Sequence, residues 1–185
     1  MDSTMKFIAT SNPDLWIIEP SVFIDERGYF MESYNSKCFL EKGISANFVQ
    51  DNESKSKKDV VRGLHFQKPP YAQGKLIRVI KGAVLDVAVD LRKSSPCYGQ
   101  YVTVELSEEN KRMFWMPAGF AHGFRTLQDD TVFSYKCTAH YNKQSEGSIL
   151  WCDETLNIPW GIDNPILSEK DMQSPRFADF QSPFE

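Results

Sequence analysis

The stretch from Lys75 to Asp90 constrains the fold more than any other part of the chain. It reads Lys75-Leu76-Ile77-Arg78-Val79-Ile80-Lys81-Gly82-Ala83-Val84-Leu85-Asp86-Val87-Ala88-Val89-Asp90, two runs rich in β-branched residues flanking Lys81-Gly82. Such runs predict strands, and the Lys-Gly break predicts a hairpin between them. Tyr101-Val102-Thr103-Val104-Glu105-Leu106 alternates apolar and polar residues, the period of a half-buried strand. Met113-Phe114-Trp115-Met116 and Thr131 to Cys137 add two more. Upstream, Leu15 to Pro20 reads as a strand stopped by proline, and Asp25 to Phe30 as a turn feeding another extended segment. Cys38 to Gly43 predicts a short helix closing on glycine, and Lys55 to Asp59 a charged, solvated loop. From Ile158 to Glu185 the chain is rich in Pro, Asp and Ser, which predicts wrapping loops with one short helix starting near Ser168. Many short strands between turns imply a mainly β fold, a sandwich or barrel of antiparallel strands.

A length of 185 residues suits one domain, 1–185, with a substantial core. Hydrophobic content of 41% and charged content of 25% are those of a soluble globular protein. The net charge of -4 argues against general nucleic-acid binding, which needs a basic surplus. Met1-Asp2-Ser3-Thr4-Met5-Lys6-Phe7 has no apolar signal core, and no stretch is apolar enough to span a bilayer, so no membrane partner is expected. Cys38, Cys97, Cys137 and Cys152 are scattered and form no C-x-x-C pair, which favours reduced thiols in the cytoplasm.

The chain has 3 histidines, so proton chemistry near neutral pH has few candidates. His65 sits in Arg62-Gly63-Leu64-His65-Phe66-Gln67, His122 ends Pro117-Ala118-Gly119-Phe120-Ala121-His122, and His140 lies in a polar stretch. Taken alone, His65 reads as a core histidine bonded to a backbone carbonyl. Arg62, Lys75 and Arg78, however, bring cations toward one end of the barrel, and buried cations predict an anionic ligand such as a diphosphate. Lys75 and Arg78 fall on opposite strand faces. Lys75 shares its face with Ile77 and Val79, which favours it as the inward one, while a polar strand face remains the plain alternative for Arg78. Tyr135 shares a face with Phe133 and Cys137, and reads either as a core tyrosine or as an acid with a polar partner. Tyr141 could stack on a nucleobase or simply be a surface tyrosine.

The Pro-Gly-His segment resembles the second motif of the cupin superfamily. A metal-binding first motif would need two histidines one residue apart, whereas Gly63-Leu64-His65-Phe66-Gln67 supplies one histidine and then glutamine. With only His65 and His122 in barrel-like contexts, no catalytic metal is expected.

Together, Arg62 to Gln67, Gln73-Gly74-Lys75-Leu76, Asp86 to Arg92, Gly119 to Phe124, Leu167 to Asp171, Asp25 to Glu32 and Phe48 to Asn52 resemble the dTDP-4-dehydrorhamnose 3,5-epimerase family, in order and over nearly the whole chain. The resemblance implies a cupin-like jelly-roll β-barrel with a few short helices. It divides the chain into an N-terminal nucleotide-binding and dimer segment (1–55), a barrel core (60–140) and a wrapping segment (141–185). It also implies a homodimer without metal or cofactor, acting on a nucleotide-linked 4-keto-6-deoxyhexose on the route to dTDP-L-rhamnose. His65 would be the base, Asp171 the carboxylate orienting it, Tyr135 the acid, and Lys75 the group steadying the enolate oxygen. Arg62 and His122 would bind sugar or phosphate. Arg27, Glu32, Gln50, Asp51, Asn52, Glu146 and Lys170 would bind the nucleotide, Tyr141 would stack on its base, and Phe30 would reach it across the dimer. The chemistry is coherent: carbons 3 and 5 both flank the carbonyl, so one cation at its oxygen can serve both steps. Inversion needs a second proton-transfer group opposite the base. A 3- or 5-monoepimerase on a related sugar and a non-catalytic sugar-nucleotide binder are the remaining readings. A metal-dependent cupin oxygenase lacks the ligands.

Overall fold

The computed structural model describes residues 5–185; Met1-Asp2-Ser3-Thr4, the first part of the polar N-terminus, lie outside the described residues. In chain order the elements are β1 (Met5–Ala9), β2 (Trp16–Pro20), β3 (Val22–Asp25), β4 (Gly28–Met31), α1 (Ser36–Glu41), β5 (Gln50–Ser56), β6 (Val61–Gln67), β7 (Lys75–Lys81), β8 (Ala83–Asp90), β9 (Tyr101–Ser107), β10 (Met113–Met116), β11 (Phe120–Thr126), β12 (Thr131–Cys137), β13 (Glu146–Ser148) and α2 (Glu169–Met172). A six-stranded sheet, β1-β2-β10-β7-β12-β5, packs on a five-stranded sheet, β13-β6-β11-β8-β9, and β3 pairs with β4 as a separate ribbon. The result is a mainly β, cupin-like jelly roll with short helices. Among the described residues, no helix is long and apolar enough to cross a membrane.

Three apolar layers hold it together. Between the sheets, Ile77, Val79, Phe114 and Phe133 from one side meet Val84, Ala88, Leu106 and Phe124 from the other. Outside the five-stranded sheet, Val87, Val89, Leu64 and Phe66 lie beneath Leu156, Ile158, Trp160 and Phe184 of the C-terminal segment. Outside the six-stranded sheet, Ile18, Leu76 and Met113 are covered by Phe39 and Ile44. Asn35 starts the helix that carries Phe39 by accepting a hydrogen bond from the Lys37 amide, and Gly43 leaves it with φ of 84°. Fully burying Phe39 is worth roughly 1.5–3 kcal/mol.

Two expectations are corrected. The runs flanking Gly82 do not form a hairpin: β7 pairs with β10 and β12, and β8 with β11 and β9, so the chain crosses from one sheet to the other. A Cβ on Gly82, at φ of 79°, would overlap the Thr131 hydroxyl, so the crossing is tight. β8 is buried on both faces because one looks between the sheets and the other lies under the C-terminal wrap. Lys55 and Ser56 are also not loop. They complete β5, where Ser56 pairs with Thr131 and is buried.

Candidate active site

A cavity of about 510 Å³ opens at one end of the sandwich, between β5, β7 and β12 on one wall and β6 and β11 on the other. β6 supplies both Arg62 and His65, three residues apart and therefore of opposite parity in a regular strand. Its pairing with β11 shifts register between His122 and Phe124, opposite Gly63. The bulge turns both Arg62 and His65 inward, while Val61, Leu64 and Phe66 stay on the outer face. Glycines make it possible: a Cβ on Gly63, at φ of 122°, would lie 2.5 Å from the Gly123 Cα, and one on Gly123 would lie 2.8 Å from the Arg62 carbonyl. Arg62 is anchored to the opposite sheet, its Nε and Nη2 donating to Ser56 Oγ at 3.2 and 3.1 Å.

His65 Nε2 lies 2.5 Å from Asp171 Oδ1. Ser168 Oγ donates to Asp171 Oδ2 at 2.8 Å and accepts from the Asp171 amide at 3.1 Å, so one serine both caps α2 and holds its carboxylate. Burial pushes the Asp171 carboxyl up, but the hydrogen bond and charge of His65, with Ser168 and the Gly63 amide, outweigh it and hold the group below the usual carboxylate range. An ionised Asp171 fixes the His65 tautomer with its proton on Nε2. Nδ1, which has no hydrogen bond among the described residues, is then the atom left to take a proton.

The facing wall carries Lys75 and Tyr135, both inward by strand alternation. Lys75 Nζ lies 5.6 Å from the centroid of the Tyr135 ring. Burial pulls the Lys75 ammonium down, opposed by Cys137 and Asp86. Burial pushes the Tyr135 phenol up, reinforced by Cys137 and opposed by Arg62 and Asn52, so it is a protonated group at neutral pH. His122, directly opposite His65 in the ladder, places Nε2 3.0 Å from Asp86 Oδ2 and stacks on Phe133. At the mouth, Lys170 pairs with Glu146 at 2.8 Å. The Tyr141 amide donates to Gln50 Oε1 at 2.8 Å, and Gln50 Nε2 donates to Asn52 Oδ1 at 3.0 Å.

The cavity thus gathers His65, Lys75, Tyr135, Asp171, Asn52, Arg62, His122, Tyr141, Glu146 and Lys170, with Gln50 behind Tyr141. It does not gather Asp51, which alternation turns to the other face of β5, where it pairs with Lys136 at 2.9 Å. Nor does this chain bring Arg27, Phe30 and Glu32 to its own cavity. Arg27 and Phe30 sit on the exposed β3–β4 ribbon, Arg27 paired with Asp25 at 2.5 Å, and Glu32 follows that ribbon within reach of Asn35 at 3.3 Å. Sequence reading gave no role to Asp86 or Ser168. Asp86 had a signal, an acidic residue alternating with Val84 and Ala88 on an apolar strand face. Ser168 had only its place before a short helix. Among the described residues, no group of three or more His, Cys, Asp or Glu is placed to hold a metal ion.

The family model for dTDP-4-dehydrorhamnose 3,5-epimerase matches residues 9–179. The chain is 56% identical over 176 residues to the dTDP-4-dehydrorhamnose 3,5-epimerase of Shigella flexneri, covering 95% of this chain and 97% of that one. The crystal structure of the enzyme of that name from Elizabethkingia anophelis superposes with a TM-score of 0.92 at 53% identity, covering 96% of this chain and 98% of that one. A dTDP-6-deoxy-D-glucose-3,5-epimerase from Legionella pneumophila, solved in complex with dTDP-4-keto-L-rhamnose, superposes with a TM-score of 0.92 at 48% identity, over 96% of this chain and 95% of that one. The chain belongs to the dTDP-4-dehydrorhamnose 3,5-epimerase family.

Proposed function

We propose that this chain inverts carbons 3 and 5 of dTDP-4-dehydro-6-deoxy-D-glucose, the epimerisation step of dTDP-L-rhamnose biosynthesis. The observation that carries the reading is the carboxylate-bound His65 on one cavity wall with Lys75 and Tyr135 on the other. His65 Nδ1 takes the proton from the carbon beside the ketone. The C–H pair becomes an enolate whose oxygen is held by the Lys75 ammonium. The Tyr135 hydroxyl then delivers its proton to the other face of the same carbon. His65 is left protonated and Tyr135 as phenolate, and exchange with solvent resets both. Arg62 and His122 contact the sugar and phosphate end, and Asn52, Gln50, Tyr141, Glu146 and Lys170 the nucleotide end.

The same reading gives Arg27, Phe30 and Glu32 to the cavity of a second copy in a homodimer. It is supported by the exposed apolar side chains Phe23, Ile24, Tyr29 and Phe30 on the β3–β4 ribbon. A monomeric mass of 21.2 kDa in solution would overturn that part. The four free cysteines suit a cytoplasmic enzyme.

The test is solvent exchange. In deuterated water the protein should place deuterium at carbons 3 and 5 of the substrate, and His65→Ala should abolish both. Label at carbon 3 alone would make it a monoepimerase. Tight binding without label would make it a sugar-nucleotide binding protein.

A further inference from the structure

We propose that Asp86 is the counter-charge of Lys75, a positioning residue that keeps the ammonium protonated inside the barrel while leaving its N–H donors free for the substrate oxygen. The inference deepens the function proposed above and rests on its reading of Lys75.

Asp86 lies in the middle of β8, alternating on the inner face with Val84 and Ala88 of the inter-sheet core, and is 0% exposed. A carboxylate there is costly unless something needs its charge. Its Oδ2 takes the hydrogen bond from His122 Nε2, and its Oδ1 has no hydrogen-bond partner. His122 therefore uses only half of the group.

Lys75 projects from the facing sheet, on the inner face it shares with Ile77 and Val79, and is buried without an ion pair or hydrogen bond among the described residues. An isolated buried ammonium sheds its proton, and a neutral amine cannot steady an enolate. It shares the cavity with Arg62 and His65 from β6, His122 from β11, Tyr135 from β12 and Asn52 from β5, and the charges that act on it most are those of Cys137 on β12 and Asp86 on β8. Among the carboxylates on this side, Glu53 is exposed at the rim, Glu146 is paired with Lys170, and Asp171 is committed to His65 and Ser168. Asp86 is the carboxylate left. Burial raises the pKa of Asp86, opposed first by His122 and then by Lys75, and lowers that of Lys75, opposed by Cys137 and Asp86. Burial also pushes the Cys137 thiol up, so it is neutral at about pH 7 and Asp86 is the anion of the two.

The separation is part of the function. A contact ion pair would take up the N–H groups that the substrate oxygen needs. A charge beyond hydrogen-bonding distance still attracts strongly where the dielectric is low, and leaves those donors free.

A double-mutant cycle on the full-length protein tests the pairing without reference to activity. Asp86→Asn, Lys75→Met and the double variant are unfolded in urea. Each single change should destabilise, and the double should lose less than their sum, with a coupling of about tenfold or more in the unfolding constant. Additive losses would overturn the pairing. If Asp86→Asn does not fold, the double variant, which removes both charges, should; its failure as well would overturn the proposal. NMR titration of the Lys75 Cε signal gives a readout that a merely structural Asp86 would not move. The lysine pKa should fall by about one unit or more in Asp86→Asn, and an unchanged value would refute the idea. Activity of Lys75→Met separates the two layers. Near wild-type turnover in that variant ends the enolate reading, whereas the cycle and the titration judge the charge pair.

Discussion

Replacing Tyr135 by Phe should uncouple proton exchange from inversion. The change removes one oxygen, whose polar neighbour is Asn52, and keeps the ring that packs on Phe133 at 5.9 Å between centroids and lies beneath Lys75. Stability should therefore move by no more than about 1 kcal/mol. The opposite wall is untouched: His65 keeps its 2.5 Å bond to Asp171, and its side chain is 39% exposed, so a proton it carries exchanges with water. Lys75 still holds the enolate oxygen. Deprotonation continues, but the only proton available returns from the side it left. Loss of a general acid lowers the inverting step by about 10²–10⁴-fold, while exchange with retention should stay within about tenfold of the wild-type rate. Proton NMR in deuterated water follows both, as loss of the carbon 3 and carbon 5 signals in recovered substrate and as appearance of epimerised product. The ratio of exchange to inversion should rise by about 10² or more. A fall of both rates by the same factor would refute the assignment of the two proton transfers to opposite walls.

Asp171→Asn should lower kcat by about 10²–10⁴-fold with KM changed only a few-fold, because the amide neither fixes the His65 tautomer nor stabilises its imidazolium; steady-state kinetics decide it. Gly63→Ala should cost about 2–4 kcal/mol, since its Cβ would meet the β11 backbone at a positive φ. A wild-type melting temperature would remove the close-approach argument. Asp90 gives a pH dependence of stability. Burial pushes its carboxyl up, but Arg92, Ser95 and Asn12 outweigh that and hold it below the usual range. A folded value below the unfolded one means the contribution is present above about pH 4 and is lost as pH falls through the lowered folded value. Urea titrations between pH 5 and pH 2, roughly the window for a depressed carboxylate, should show a flatter slope for Asp90→Asn than for wild type.

What the sequence revealed of this fold and site depended on whether a local rule carried the information. Strand parity did, so Lys75 and Tyr135 were placed inward from their own neighbours, and both line the cavity. Pairing did not. The break at Gly82 has the composition of a hairpin turn, and only the clash a side chain there would make with Thr131, far along the chain, marks it as a crossing. Lys55 and Ser56 look like solvated loop because β5 is an edge strand with charged residues on its outer side, and what makes Ser56 a strand residue is Thr131 beside it. Arg62 and His65 cannot share a face in a regular strand. Their convergence comes from the Gly63–Gly123 contact, a relation between two glycines that neither segment contains alone. The partnership of His65 with Asp171 spans 106 residues, and only the family resemblance reached across it.

The sandwich itself supplies what an inversion at carbon requires. One strand offers side chains to a substrate from one direction, and a base there can return a proton only to the face from which it came. Two sheets packed face to face make two walls, and a flat enolate lying between them presents one face to each. Here β6 and β11 bring His65 and His122 to one wall, while β7 and β12 bring Lys75 and Tyr135 to the other. Tyr141, Glu146 and Lys170 line the open end, so in the function proposed above the nucleotide would lie across the mouth without blocking either wall. Because carbons 3 and 5 sit on either side of one carbonyl, on the proposed mechanism a small shift of the sugar along the gap would exchange one for the other while Lys75 stayed on the same oxygen. Double epimerisation then needs no second set of catalytic groups, only a gap wide enough for the ring to move within it.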